Sequence, residues 1–381
     1  MDAVVSDELY QERMLPHVSR TFALTIPQLP AGLRVAVTNA YLLCRIADTI
    51  EDGTTSSAAA RLGLLQRFVA VLRGQEEAEL LTKDLLPRLS EQTLAAERDL
   101  ALNMQRIVRV TARLHESQQA AIQRCIQLMC DGMHQFQRTA SLRGLPGMRE
   151  LDEYCYYVAG VVGQMLTELF CGYSADINLR REGLEALAVS FAQGLQMTNI
   201  LKDVWEDRER GACWLPQEVF GRYGVELGLL STERQGAGFA AGMRELVGVA
   251  HAHLRNALSY TLLIPPGETG IRRFCLWAVG MAVLTLRKIQ GTPGFTSGTQ
   301  VKISHSAVAM TQLLGNLAVR NDWLLRRLFA RATAGLPCAS LSAPRAPERS
   351  ALPLVQPATD YDHSAAAVPL DVRRYEGSPG S

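Results

Sequence analysis

From Leu33 to about Arg331 the apolar residues return every three or four positions, the spacing that lines one face of an α-helix. Alternating β-branched runs that would mark strands are scarce. The body therefore reads as all-α. Clusters of glycine and proline at 27–32, 53–57, 144–147, 211–216, 265–270 and 291–298 fall where helix connections belong, and they divide it into about eight to ten helices. Between Ala95 and Arg138 the pattern predicts two long amphipathic stretches. Leu100, Met104, Ile107, Val108 and Leu114 share one face of the first, and Ile122, Ile126, Met129, Met133 and Phe136 share one face of the second. Stripes of this kind are core positions before anything else.

The most apolar run, Phe274 to Leu286, is bracketed by Arg272, Arg273, Arg287 and Lys288. It is shorter than the roughly 20 residues a membrane span needs, so a buried helix is expected. No repeat at solenoid spacing is present. The pattern fades after Leu336, where Pro337, Pro344, Pro347, Pro353, Pro357, Pro369 and Pro379 punctuate an Ala- and Ser-rich tail. Residues 1–336 are expected to form one catalytic helical domain, and 337–381 a disordered tail.

Charge changes the picture by exclusion. Thirty-nine Lys and Arg balance 38 Asp and Glu, leaving a net charge of +1 and no long-range field for nucleic acid or an acidic surface. Any anion binding must be local. The eight cysteines include no CxxC pair, and Cys125 and Cys130 lack zinc-site companions, so all eight are expected to be reduced and mostly buried. Acidic residues in Met1 to Glu8 and the lack of a following apolar segment argue against a signal peptide and for a cytoplasmic protein. That placement leaves room for peripheral contact with a membrane through an apolar mouth.

Two acidic clusters carry the candidate chemistry. Asp48, Glu51 and Asp52 stand at i, i+3 and i+4 at the end of an otherwise apolar helix, where they repel one another and oppose the helix dipole. Gly53 follows as a natural C-cap. Alone, such a cluster is better read as a solvated helix end. A second cluster shifts the balance: Asn199, Asp203 and Asp207 form a polar ladder at i, i+4 and i+8 among apolar neighbours. Unpaired buried carboxylates are costly, so this ladder should face an interior cavity. Oxygen ligands of this kind suit Mg²⁺, which shares its coordination with water and substrate phosphates. Arg45, one turn before Asp48, together with Lys202 and Arg20, would suit a phosphate.

With their surroundings, these motifs resemble the squalene and phytoene synthase family of head-to-head isoprenoid synthases over the region from Val18 to about Asn321. Five blocks carry the likeness: Ser19 to Phe22, Arg45 to Asp52, Tyr154 to Gly163, Asn199 to Asp207, and Trp214 to Val219. The resemblance implies a single-domain helical bundle around a central apolar cavity. It implies Mg²⁺ on Asp48, Glu51, Asp52, Asn199, Asp203 and Asp207, and two prenyl diphosphates, taken here as farnesyl diphosphate. Ser19, Arg20, Phe22, Arg45, Asn199 and Lys202 would meet the diphosphates, with Asp48, Asp52, Asp203 and Asp207 driving ionisation. Tyr154 matches a tyrosine placed for proton transfer or cation steering, against the alternative of a structural phenol. Ala159, Gly160 and Gly163 form a small-residue face for close approach of substrate, or of another helix.

Members of the family differ in whether the second cation is reduced by NADPH or loses a proton. Val301-Lys302-Ile303-Ser304 looks like the reductive arrangement, in which Lys302 would meet the cofactor phosphates, with Ser304, Arg20 and Arg45 nearby. Ser304 departs from the arginine often found there. The expectation is thus a reductive synthase using Mg²⁺ and NADPH. The alternatives are a phytoene- or dehydrosqualene-type synthase and a non-catalytic assembly protein on the same fold. Chain length and downstream pathway are not fixed by the sequence; nor is the oligomeric state, for which a monomer suffices.

Overall fold

A computed structural model describes residues 6–137, 140–233 and 235–341, all within one compact unit. Its central element is the Arg181–Lys202 helix, half of whose residues are buried. It packs most extensively on the Ala237–Leu263 helix and also meets Val161–Tyr173 and Thr269–Gly291. Close contact is possible because small residues lie at the crossings: a Cβ on Gly163 would come within 2.4 Å of the Ala188 carbonyl oxygen. That packing accounts for Gly163, so close approach of substrate is not needed to explain it. A second layer is formed by the Ala31–Asp52 and Glu116–Gln137 helices, which pack on each other.

The all-α expectation holds: among the described residues, extended pairing is limited to two isolated bridges, Thr54 with Leu89 and Leu145 with Pro216. Helices are more numerous than the pattern suggested, with eighteen α-helical segments among those residues. The stretch expected as two helices is three, Ala95–Leu102, Met104–Arg113 and Glu116–Gln137. Asn103, at φ −99° and ψ 19°, turns the chain without shifting the apolar stripe, so hydrophobic spacing alone could not reveal the break. The stripes themselves are core, with Leu100, Met104, Ile107, Ile122, Ile126, Met129, Met133 and Phe136 all buried.

The apolar run at 274–286 belongs to a longer helix, Thr269–Gly291, that is long and apolar enough to cross a membrane. Within its most apolar window 61% is buried in the protein, as a core helix would be. Arg272 is not a flank, as the sequence suggested, but a fully buried side chain inside this helix. It donates to the carbonyls of Ile264 and Val319, each at 2.8 Å, and to Asp322 Oδ1 at 2.8 Å. The cysteines are all free thiols; six are buried, Cys44 is half-buried and only Cys338 is exposed.

Of the expected tail, residues 342–381 lie outside the described residues. Residues just after Leu336 pack along the Ala237–Leu263 helix, where the Pro337 carbonyl lies 2.7 Å from His251 Nδ1 and Ala339 N donates to the Gly248 carbonyl.

Candidate active site

The first acidic cluster is the last turn of the Ala31–Asp52 helix, and Gly53 closes it at φ −85°. This is not the left-handed cap glycine usually supplies. Here a Cβ would lie 2.6 Å from the Thr49 carbonyl oxygen and 3.2 Å from Thr93 Oγ1. Arg45 pairs with Glu97 at 2.9 Å and reaches Asp48 at 3.6 Å. Arg61 donates to the Glu51 carbonyl, and Gln137 donates to Asp52 Oδ1 at 3.4 Å.

The second cluster is not one continuous helix. The Arg181–Lys202 helix ends at Asp203, at φ −98° and ψ 17°, and a short Val204–Glu209 helix follows. Hydrogen bonds from Asp203 N to the Asn199 carbonyl and from Asp207 N to the Asp203 carbonyl carry the ladder across the break. Asn199 is exposed while Met197, Thr198, Ile200 and Leu201 are buried. Lys202 Nζ sits on both oxygens of Asp203, at 2.7 and 2.6 Å. Asp207 pairs with Arg210.

The two clusters confront each other electrostatically. Burial, opposed by Arg45 and reinforced by Asp52, pushes Asp48 up to about 6. Burial likewise pushes Asp207 up to about 6, opposed by Arg210 and reinforced by Asp203 and by Asp52 from the other cluster. Asp52 is raised by burial against the pull of Arg210, Arg45 and Arg61, and Glu51 is driven well up by burial and by both its aspartate neighbours. Yet Asp48 keeps 39% of its side-chain surface and Asp203 34%. Asp48 is thus raised by its surroundings and still reached by water.

Tyr154 is near enough to both clusters to feel their charge, and it is stacked on Trp214 with ring centroids 4.1 Å apart and edge-on to Phe136 at 5.3 Å. Burial, strengthened by Glu51, Asp207 and Asp52, holds its phenol well above the ordinary value. It is a neutral donor at physiological pH. Tyr41, one turn before Arg45, donates to the Val18 carbonyl and packs at a 45° tilt against Phe22, ring centroids 5.2 Å apart, so the Ser19–Phe22 segment adjoins the first cluster. Ser19 Oγ accepts from Phe22 N, whereas Arg20 is exposed.

The loop carrying Lys302 is fastened to the second cluster. Trp205 Nε1 donates to the Phe295 carbonyl at 2.8 Å, and Gly298 N donates to Glu206 Oε1 at 2.7 Å. A Cβ on Gly298 would lie about 3 Å from the Lys202 carbonyl, Asp203 Oδ1 and Glu206 Oε1, so a side chain there would press on the second cluster. Lys302 is exposed. Ser304 is engaged as the N-cap of the His305–Ala318 helix, accepting from Ala307 N and bonding Ser306 Oγ at 2.9 Å.

Glu206 and Arg210 escaped the sequence reading. Glu206 had a signal, since Asp203 to Asp207 repeats the Asp-x-x-Glu-Asp spacing of Asp48 to Asp52. Arg210 had none beyond lying one turn after Asp207. Among the described residues no three acidic, histidine or cysteine side chains converge closely enough to hold an ion unaided. The donors nonetheless fit Mg²⁺ shared with substrate phosphates: they are hard oxygens, crowded enough to raise one another, and Glu206 Oε2 is buried without a partner.

Comparison with known proteins places these features. Residues 15–307 match the family model described as squalene/phytoene synthase. The chain is 31% identical over 300 residues to a squalene synthase of Candida albicans, covering 76% of this chain and 63% of the relative. It is 30% identical over 274 residues to the Homo sapiens squalene synthase, covering 72% and 61%. The chain thus spans somewhat less than two thirds of the length of these curated relatives. Among solved structures, a ligand complex of TcSQS shares the fold with a TM-score of 0.71 and 23% identity, over 89% of this chain and 94% of that one. A ligand-bound dehydrosqualene synthase shares it with a TM-score of 0.57 and 21% identity, over 82% and 96%.

Proposed function

The chain belongs to the squalene/phytoene synthase family, and from that membership we propose that it is a squalene synthase. It joins two farnesyl diphosphates head to head into presqualene diphosphate and reduces that intermediate to squalene with NADPH. The observation that carries this reading is the confrontation of Asp48, Glu51 and Asp52 with Asp203 and Asp207, with Arg45, Lys202 and Arg210 interleaved.

In the first half-reaction the allylic C–O bond of one substrate breaks and diphosphate departs. The double bond of the second attacks the cation, and a proton is lost. Mg²⁺ held by Asp48, Glu51, Asp52, Asn199, Asp203 and Asp207 would neutralise the leaving diphosphate as a Lewis acid. Arg45, Lys202 and Arg210 add fixed positive charge: the guanidinium groups grip phosphate oxygens in a fork, and Lys202 acts as a point charge. Lys202 must leave Asp203 to do so. Tyr154, neutral and held between Trp214 and Phe136, presents a phenol hydroxyl beside the carboxylates, while the aromatic wall keeps out water that would quench a cation. NADPH, met by Lys302 on the loop that Glu206 fastens, would supply hydride for the second half-reaction.

Incubation of the full chain with farnesyl diphosphate, Mg²⁺ and NADPH, followed by hydrocarbon analysis, should give squalene, and without NADPH no squalene. The same hydrocarbon with and without NADPH would replace this reading with a dehydrosqualene- or phytoene-type synthase. No conversion of either C15 or C20 diphosphates by a folded protein would favour a non-catalytic role.

A further inference from the structure

One apolar stripe of this protein faces outward. On the His305–Ala318 helix, Met310, Leu313, Leu314 and Leu317 fall at i, i+3, i+4 and i+7, and they are between 38% and 71% exposed. The opposite face of the same helix does the packing: Thr311 lies against Gly280, Gly315 lies against Trp277, and Ala318 is buried. The helix therefore has two apolar faces and the core uses one. Trp323, 64% exposed at the start of the Asp322–Ala332 helix, extends the outer patch, with the Arg327 guanidinium 5.0 Å from its ring centroid.

Charge around the patch is one-sided. From 302 to 331 the chain carries Lys302, Arg320, Arg326, Arg327 and Arg331, all exposed, against the single acid Asp322. That acid is already bound by the buried Arg272. Such asymmetry is conspicuous in a chain whose overall net charge is +1. A solvent-facing apolar stripe, an exposed tryptophan and a basic rim together form the pattern of a helix lying in the plane of a membrane interface. A second copy of the chain is a poor match, because a two-fold contact over this patch would bring like-charged rims together.

We propose that the face formed by Met310, Leu313, Leu314, Leu317 and Trp323 docks on the surface of an anionic phospholipid bilayer. The leucines enter the headgroup–acyl boundary, and Arg320, Arg326 and Arg327 meet lipid phosphates. This inference rests on surface residues and stands apart from the proposed reaction, since the docking test reads no turnover.

Full-length protein should co-sediment with vesicles of phosphatidylcholine containing about 30% phosphatidylglycerol, at least about tenfold more strongly than with phosphatidylcholine alone, and raised salt should weaken binding. Tryptophan emission should shift to the blue on binding, and Trp323→Ala should remove that shift. The double variant Leu313→Glu/Leu317→Glu should lose at least about tenfold in binding with its thermal melt and circular dichroism unchanged. If that pair disturbs folding, Arg326→Glu/Arg327→Glu at exposed positions must give the same loss. Equal binding by wild type and a folded variant, or no binding by wild type, overturns the proposal. So does a stable dimer in sedimentation velocity that the leucine variants dissociate, which would assign the stripe to a second copy.

Discussion

Replacing Arg272 by methionine tests how the His305–Ala318 and Asp322–Ala332 helices are held. The guanidinium is fully buried and satisfies the carbonyls of Ile264 and Val319, themselves on buried residues, as well as Asp322. Methionine fills similar space and keeps the apolar stem, so the loss is mainly of hydrogen bonds. Each buried carbonyl left without a donor costs about 1–3 kcal/mol. Asp322 is 45% exposed and returns to water, adding little. The expected destabilisation is therefore about 4 kcal/mol, measured as the shift in a urea unfolding midpoint at constant slope. Asp322→Asn removes the ion pair alone and should cost less than about 1 kcal/mol. Hydrogen exchange in 305–332 should quicken in Arg272→Met before the rest of the chain changes, because the bonds it loses tie that segment to the Thr269–Gly291 helix. A loss below about 1 kcal/mol, or uniform quickening, would refute the reasoning.

The remaining expectations concern the site and the core. Asp203→Asn should reduce product formation by at least about a hundredfold with the fold intact by circular dichroism; full activity would remove the ionising role assigned to the second cluster. Glu206→Ala, which frees the Gly298 amide and removes an unpartnered carboxylate oxygen from the second cluster, should slow presqualene diphosphate formation and in addition raise the KM for NADPH by about tenfold or more, and an unchanged KM for NADPH would contradict a loop-fastening role. His253, buried with its Nδ1 2.8 Å from Ser190 Oγ, which also accepts from Asn256, is lowered by burial from 6.5 to about 4. The unfolded chain takes up this proton first, so the contribution is complete above pH 6.5 and is lost as pH falls toward 4, about 3 kcal/mol in all. Asp48 and Asp207, raised to about 6, act in the opposite sense, gaining stability as they protonate in the fold. The His253 share is therefore read from the difference between wild type and His253→Asn at pH 7.5 and 4.5, and a difference that does not change with pH argues against it.

The sequence carried the helical class and both acidic clusters because each depends on short-range spacing, which survives without knowledge of contacts. It did not carry the break at Asp203, since two helices joined by one turned residue keep nearly the same period. Nor did it show Arg272 as buried: an arginine beside an apolar run reads as a flank until the carbonyls that receive it are known. Ser304, expected near a cofactor from its place after Lys302, also caps a helix through its hydroxyl, a local role that serine fills readily at such positions. Arg210 lies near enough to Asp52 to pull it down, a neighbourhood across the two clusters that no linear spacing encodes.

The turn from Tyr156 to Gly160 is wound as a π-helix inside an otherwise α-helical run from Met148 to Tyr173. Such a turn accommodates one residue more than α geometry would. Were it to tighten to ordinary helix with all five residues kept, 3.6 residues per turn would swing everything on one side by about 100° relative to the other. Tyr154 would then leave Trp214 while Val161 to Tyr173 kept their packing, or the reverse. The wide turn thus takes up one residue without rotating the helix on either side, so a single deletion within 156–160 should keep both packed faces, whereas one elsewhere in 148–173 should not.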